Sequence, residues 1–456
     1  MSWALCILFF LLQTNALTEI ANGIKLQLSH ASLVFENNLS HEQRNQRLLS
    51  QSYASSLVSR KSKNPNLLIR PQVGIQSPYY YMVKIGIGTF KPEPRYPSFR
   101  SYYLYMDSGS DLLWMQCEGC RASGGRCFPQ KEPVYPNNRS SSYRPILCNK
   151  NNNSLCEPNH CINGSCSYNM SYLDNTFSSG ILASENFVFN SDVGRTEVVR
   201  NLVFGCGVYN RKTYGNSSNQ IAGVMGLGWG SYSIVAQANS ITRGIFSYCL
   251  PPVDNKNTSN WPITYLRFGG DVIKRPDLKV TPLLRVKDQT VYHLVLQGIS
   301  INNKRLTSLS DRDFQLRGDG SGGCIIDSGT PFSRLVQPAY TVLIKALKRH
   351  FWNRRSSKLN LGGLELCYER RKNEGYKNLP SMTFHFKNAD LVVRPESLFL
   401  VLDKIGSVKG EYFCLAIIPS DFISVLGSYQ QTNQRFVYDT KQNQLLFGPQ
   451  DCSKDA

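Results

Sequence analysis

From Tyr79 onward the chain alternates short apolar and aromatic runs with Gly, Pro, Asn and Asp, the pattern of strands separated by tight turns. The runs "YYLYM", "ENFVF", "NLVFGCG", "VYHLVLQGISI", "GCIIDSG", "SMTFHF" and "RFVYD" each read as a strand. Helical spacing is clear in only one stretch, "PAYTVLIKALKRHF" from Pro338 to Phe351, with Pro in its first turn. The pattern therefore predicts a mainly β chain with few helices. The 24 Tyr and 22 Phe fit that reading, because aromatic side chains pack well on a pleated surface.

Both ends depart from this pattern. "MSWALCILFFLLQTNA" (1–16) has an apolar run too short to span a bilayer, followed by small Ala16, and reads as a signal peptide. Residues 17–75 are polar and basic, with weak helical periodicity and no Cys, and read as a removable pro-segment or a flexible arm. No later stretch is apolar over about 18 residues, so no membrane anchor is expected. The final "GPQDCSKDA" carries no retention or lipid-anchor signal.

Within the β-rich remainder one pattern occurs twice. "YYLYMDSGSDLLWMQC" and "GGCIIDSGTPFSRL" both lead an apolar run into Asp-Ser-Gly-Ser/Thr, at Asp107 and Asp327. Each is followed later by two apolar residues and Gly, at Val224-Met225-Gly226 and Val425-Leu426-Gly427. A single Asp-Ser-Gly is only a turn signal. Two copies in matched apolar settings predict two similar lobes, residues 76–255 and 256–456. Apolar flanks imply burial, and a buried carboxylate is costly unless it is neutralised or hydrogen-bonded. Two such carboxyls brought together can share one proton, which is the chemistry of the aspartic protease dyad.

Composition narrows the compartment and the partners. Beyond Cys6 there are 13 cysteines, seven of them between Cys117 and Cys166, a density that reads as a disulfide framework in an oxidising compartment. Cys117 and Cys120 have the spacing of a zinc knuckle, but no second Cys-x-x-Cys follows, so no metal is expected. Asn-x-Ser/Thr sequons begin at Asn38, Asn138, Asn152, Asn163, Asn169, Asn216 and Asn257, as on a glycosylated secreted surface. The net charge of +19 can attract polyanions such as acidic cell-wall polysaccharide. No basic cluster stands out along the sequence, and a solvated surface is the simpler reading. No nucleic-acid partner is expected of a secreted chain without a recognition motif. The six His are scattered without a His-Glu-x-x-His, and "GLGWGSYSIV" lacks the Gly-x-Ser-x-Gly of a serine hydrolase.

From about Tyr79 to Cys452 the chain resembles the pepsin-like aspartic proteases, specifically their plant nepenthesin-like branch. The resemblance rests on "MDSGSDLLWMQC", "CSYNMSYLDNTFSSGILASE", "NLVFGCG", "GVMGLGWGSYSIVAQ", "FSYCL", "IIDSGTPFSRL", "LCY", "YFCLAI" and "VLGSYQQTNQRFVYD". The Cys-rich stretch before Tyr172 resembles that branch's insertion, and no saposin-like insert is present. The resemblance implies a bilobal pepsin-like fold with the active site in the cleft between two β-rich lobes. It also implies an endopeptidase of acidic pH without cofactor, taking polypeptide substrates, monomeric, and secreted to the apoplast or held in a vacuole. Asp107 and Asp327 match the catalytic pair. Ser108 and Ser328 match the hydroxyl residues that lock the two loops together, and Gly109 and Gly329 let backbone N–H groups approach the carboxylates. Ser110 and Thr330 match the residues that hydrogen-bond the outer carboxylate oxygens. Tyr172 matches the flap tyrosine over substrate, and Trp114 the tryptophan behind it. The family's pattern pairs Cys367 with Cys414 and Cys249 with Cys452, leaving Cys324 as a buried, inert thiol.

Two considerations pull the other way. Plant pepsin-like folds resembling this branch also include inhibitors of microbial glycosidases, usually with catalytic-site residues lost, whereas both aspartates and their hydroxyl neighbours remain here. The flap tip is also altered. Where the branch usually has Tyr-Gly-Asp-Gly-Ser, this chain has Tyr172-Leu173-Asp174-Asn175-Thr176, which predicts a stiffer or reshaped tip.

Overall fold

The computed structural model describes residues 23–30, 81–91, 98–148, 156, 160–172, 174–190, 196–212, 221–252, 264–272, 274–318, 321–354, 364–371, 374–405 and 408–455. The expected runs form strands: Arg100–Asp107, Phe177–Asn190, Thr196–Arg211, Tyr292–Leu294 with Leu296–Ile301, Cys324–Ile326, Met382–Phe386 and Gln434–Asp439. The expected helix runs from Gln337 to His350 and buries Ala339, Tyr340, Leu343, Ile344 and Leu347 along one stripe.

The sequence repeat is also a structural repeat. Strand Arg100–Asp107 runs parallel to Ile221–Gly226, with Gly226 opposite Asp107. Strand Cys324–Ile326 runs parallel to Ser424–Leu426, with Ile326 opposite Leu426. Each pair is crossed by an antiparallel segment, Trp114–Gln116 in the first and Ser333–Val336 in the second. The apolar triplet before each aspartate is buried, as expected of parallel strands covered on both faces. A strand end so enclosed fixes the turn that follows it.

A shared sheet ties the two halves together beneath these turns. Its neighbours in order are Lys279–Leu284, Gln444–Pro449, Gln434–Asp439, Ile245–Cys249, Thr264–Gly269, Gly23–His30 and Tyr81–Ile87. Thus Ile245–Cys249 of the first half hydrogen-bonds to Gln434–Asp439 of the second. Above it Phe246 stacks on Tyr438 at 4.3 Å between ring centres, and Tyr292 meets Tyr438 edge-on at 4.8 Å. The Tyr248 hydroxyl donates to Gln431 Oε1 at 2.6 Å, and Gln431 Nε2 donates to the carbonyls of Asp327 and Leu426 at 3.2 and 2.8 Å. The aromatic floor is thereby bonded directly to the second turn.

Residues 23–30, part of the segment read from sequence as a pro-segment or flexible arm, form a strand in this sheet. Gly23–Leu28 pairs with Thr264–Gly269, and Leu28–His30 with Tyr81–Val83. The rest of 1–75, including the signal-like stretch and the basic runs, lies outside the described residues.

The cysteines form the bridges Cys117–Cys206, Cys120–Cys127, Cys148–Cys161, Cys156–Cys166, Cys249–Cys452 and Cys367–Cys414. The last two are those the family pattern implied, and Cys324 is a buried free thiol. The sulfurs of Cys148, Cys156 and Cys166 lie within 4.8 Å of one another because two bridges are adjacent, so they are not available as thiolate ligands. Among the described residues no helix is long and apolar enough to cross a membrane.

Candidate active site

The two Asp-Ser-Gly turns face each other with near-twofold symmetry. The Ser328 amide donates to Ser108 Oγ at 2.9 Å, and the Ser108 amide donates to Ser328 Oγ at 3.1 Å. Ser328 Oγ donates onward to the Met106 carbonyl at 3.1 Å. Both serines are fully buried, so each hydroxyl satisfies a backbone N–H of the opposite turn that water cannot reach. These reciprocal bonds set the distance between the turns.

Within each turn the carboxyl is held the same way. Gly109 N–H donates to Asp107 Oδ1 at 2.9 Å, and Gly329 N–H donates to Asp327 Oδ1 at 2.7 Å. Ser110 Oγ donates to Asp107 Oδ2, and Thr330 Oγ1 donates to Asp327 Oδ2 at 2.5 Å. The glycines are required by space. A Cβ on Gly109 would stand 2.7 Å from the Asp327 carboxyl carbon, and one on Gly329 would stand 2.3 Å from Asp107 Oδ1. Each carboxyl therefore lies over the glycine of the other turn, which sets the two carboxyls side by side.

Burial pushes the Asp107 carboxyl well above the usual carboxylate range, and the neighbouring Asp327 charge raises it further. The Ser110 and Gly109 donors oppose this. Asp327 is raised as well, by burial, against the Thr330, Gly329, Asp107 and Gly109 donors. Groups this close titrate as a pair, and the arrangement favours one proton shared between them over two charges.

A hairpin extends over the turns. Its strands are Ser165–Ser171 and Phe177–Asn190, the second paired along its length with Thr196–Arg211. Asp174 closes the tip, accepting from Thr176 N–H and Thr176 Oγ1, both at 2.8 Å. Asn175 takes φ 60°, the left-handed conformation that Asn tolerates better than other non-glycine residues. Leu173 lies outside the described residues. Tyr172, at the start of the tip, accepts at its hydroxyl from Trp114 Nε1 at 2.7 Å. Burial raises the pKa of this hydroxyl, and the Asp107 charge raises it further. Trp114 thus holds Tyr172 by a hydrogen bond near the turn in which Ser110 donates to Asp107.

The structure brings all ten residues singled out from the sequence into this one cluster. Sequence reasoning missed Asp111, which follows Ser110 directly. It is buried, accepts from Tyr232 N–H at 3.0 Å, and is pushed by burial to about 6. It also missed Gln431, whose amide braces the Asp327 carbonyl. The apolar residues that follow Asp111 were the available signal for the first. Nothing local in "GSYQQTNQ" marks the second.

Paired carboxyl turns on a shared interlobe sheet define the pepsin-like class of protein. Comparison with known proteins places the chain within it. Residues 81–270 match the family described as xylanase inhibitor N-terminal, and residues 291–449 the one described as xylanase inhibitor C-terminal. Aspartyl protease AED1 of Arabidopsis thaliana is 32% identical over 374 residues, covering 82% of this chain and 72% of that protein. Aspartic proteinase nepenthesin-2 of Nepenthes gracilis is 29% identical over 400 residues, covering 86% and 84%. The solved structure of edgp superposes with a TM-score of 0.65 at 16% identity, covering 94% of this chain and 95% of that one, a likeness of fold alone. The chain belongs to the pepsin-like aspartic proteases, in their plant nepenthesin-like branch.

Proposed function

We propose that the protein is an aspartic endopeptidase that hydrolyses peptide bonds at acidic pH, with Asp107 and Asp327 as its catalytic pair. The observation that carries this reading is the completeness of the pair: both carboxyls, their amide and hydroxyl donors and the interlocking serines are all present. A water activated between the carboxyls gives its proton to the ionised one and attacks the peptide carbonyl carbon. The protonated partner hydrogen-bonds the carbonyl oxygen as it becomes a hydroxyl. The tetrahedral diol then collapses, the C–N bond breaks, and the leaving nitrogen takes a proton from the pair. No metal or cofactor has a part in this scheme. Tyr172 closes over the substrate from the hairpin, with Trp114 behind it.

The same reading makes 1–16 a signal peptide and 17–75 a pro-segment, cleaved between about Asn64 and Pro78, on a secreted monomer of the apoplast or a vacuole. Its sequons at Asn138, Asn163 and Asn169 are exposed, as glycosylation requires. The family descriptions favour a second reading, a pepsin-like protein that inhibits a microbial glycosidase and cuts nothing. The two part on one experiment: digestion of a denatured protein at acidic and neutral pH, with and without a transition-state-mimic inhibitor of aspartic proteases. Acid-dependent, inhibitor-sensitive cleavage supports the protease. Absence of cleavage at every pH, together with tight binding to a glycosidase, supports the inhibitor.

A further inference from the structure

Outside the carboxyl cluster, the end of helix Gln337–His350 presents a basic and aromatic face. Lys345, Lys348 and Arg349 are exposed, and Trp352, just past the helix, is 82% exposed, well above any other large apolar residue among those described. Lys345, Lys348 and Arg349 have the spacing of one helical face, and Trp352 stands two residues past the end of that helix. Cations in a last helical turn also complement the helix dipole, which accounts for the lysines and the arginine but not for a bare indole. The face is held firmly from below. Arg354 donates to both Glu374 oxygens, at 3.1 and 2.7 Å, which fixes the helix end to the loop carrying exposed Tyr376 and Lys377.

We propose that this face binds an acidic polysaccharide, a polyuronide whose carboxylates pair with Lys345, Lys348 and Arg349 while a pyranose ring lies on Trp352. Three observations favour that occupant. The net charge of +19 makes an anionic polymer the complementary partner. A rigid indole with an apolar face and a polar N–H suits a sugar ring, which is apolar on its faces and hydroxylated at its rim. The helix buries its apolar stripe in the core, so it has no second apolar face to place in a membrane.

The full-length protein should bind immobilised polygalacturonate more strongly than fully methyl-esterified polygalacturonate, and binding should weaken as salt is raised. Trp352→Ala should weaken it about tenfold, and Lys348→Glu with Arg349→Glu should reduce it to the level of the esterified polymer. Reversing two exposed cations elsewhere, Lys287→Glu with Lys441→Glu, controls for net charge and should cost less than threefold. All of these side chains are exposed, so the variants should keep the wild-type melting temperature, which is measured alongside. Wild-type binding by Trp352→Ala, or equal losses in the two charge-reversal variants, would overturn the proposal. So would binding to phosphatidylserine vesicles that shows the same dependence on Trp352 while polygalacturonate binding does not, because the partner would then be a membrane.

Discussion

At the scale of single residues, the paired carboxyls have a consequence for stability as well as for chemistry. Asp107 and Asp327 bind a proton more tightly folded than unfolded, because burial raises both pKa values and the Asp327 charge raises that of Asp107 further. The unfolded chain loses that proton near the ordinary carboxylate value, so the folded state is penalised increasingly as pH rises above it, by about 1.4 kcal/mol for each tenfold gain in proton affinity on folding. The sign is therefore loss of stability from acidic toward neutral pH. Asp107→Asn removes the titration, and its melting temperature should fall less than that of the wild type between pH 4 and pH 7. Parallel curves for the two proteins would contradict the coupling. Cys324 lies two apolar residues before Asp327, and burial pushes its thiol up to about 12. Iodoacetamide should leave it unlabelled in the native protein and label it after denaturation, whereas labelling of the native protein would show the site to be open. The two aspartates were legible in the sequence because the apolar run before each turn dictates burial, whereas the roles of their hydroxyl neighbours and the unpaired state of Cys324 were legible only through the family resemblance. Asp111 and Gln431 were not legible, because what they do depends on which backbone groups a distant segment brings to them.

At the scale of elements, the hairpin over the site and the first strand carry separate predictions. Loss of both tip glycines predicts a stiffer or reshaped tip, in which Asn175 takes the positive φ. Asn175→Gly should accordingly leave peptide kinetics within about twofold, and Asn175→Val should destabilise the tip by ~1–2 kcal/mol and raise KM more than it lowers kcat. Equal kinetics for the two variants would show that the tip conformation is not set at that position. The strand over Gly23–His30 fills a place between Thr264–Gly269 and Tyr81–Val83. In the unprocessed chain, removing residues 17–30 should expose both edges, lower the melting temperature and promote self-association, visible by light scattering. An unchanged, monomeric truncation would mean that another segment closes the gap. The short alternating runs announced most strands, because burial on the pleat selects β-branched and aromatic residues. This first strand escaped notice because "GIKLQLSH" is a single amphipathic run in a polar, basic segment, and its partners lie far along the chain, at Tyr81–Val83 and Thr264–Gly269.

At the scale of the whole molecule, the repeat at Asp107 and Asp327 is what allowed a two-lobed chain to be read from its sequence. The interlobe sheet that seats both turns was not legible, since its strands come from widely separated parts of the chain and pair across lobes. Cys249–Cys452 staples that sheet across 203 residues. Replacing both cysteines by Ser should cost about 2–4 kcal/mol by denaturant unfolding, whereas an unchanged midpoint would mean that the sheet holds without its staple. The central claim is that the seated pair acts as one acid–base unit, and its most direct test is the pH dependence of peptide cleavage by wild type, Asp107→Asn and Asp327→Asn. The wild type should show a bell-shaped kcat/KM with an acidic optimum, falling at high pH as both carboxyls ionise. Each Asn variant should lose activity by about 10³-fold or more and with it the bell, while keeping its fold. Acid-dependent cleavage that persists at wild-type rate in either variant would contradict the account.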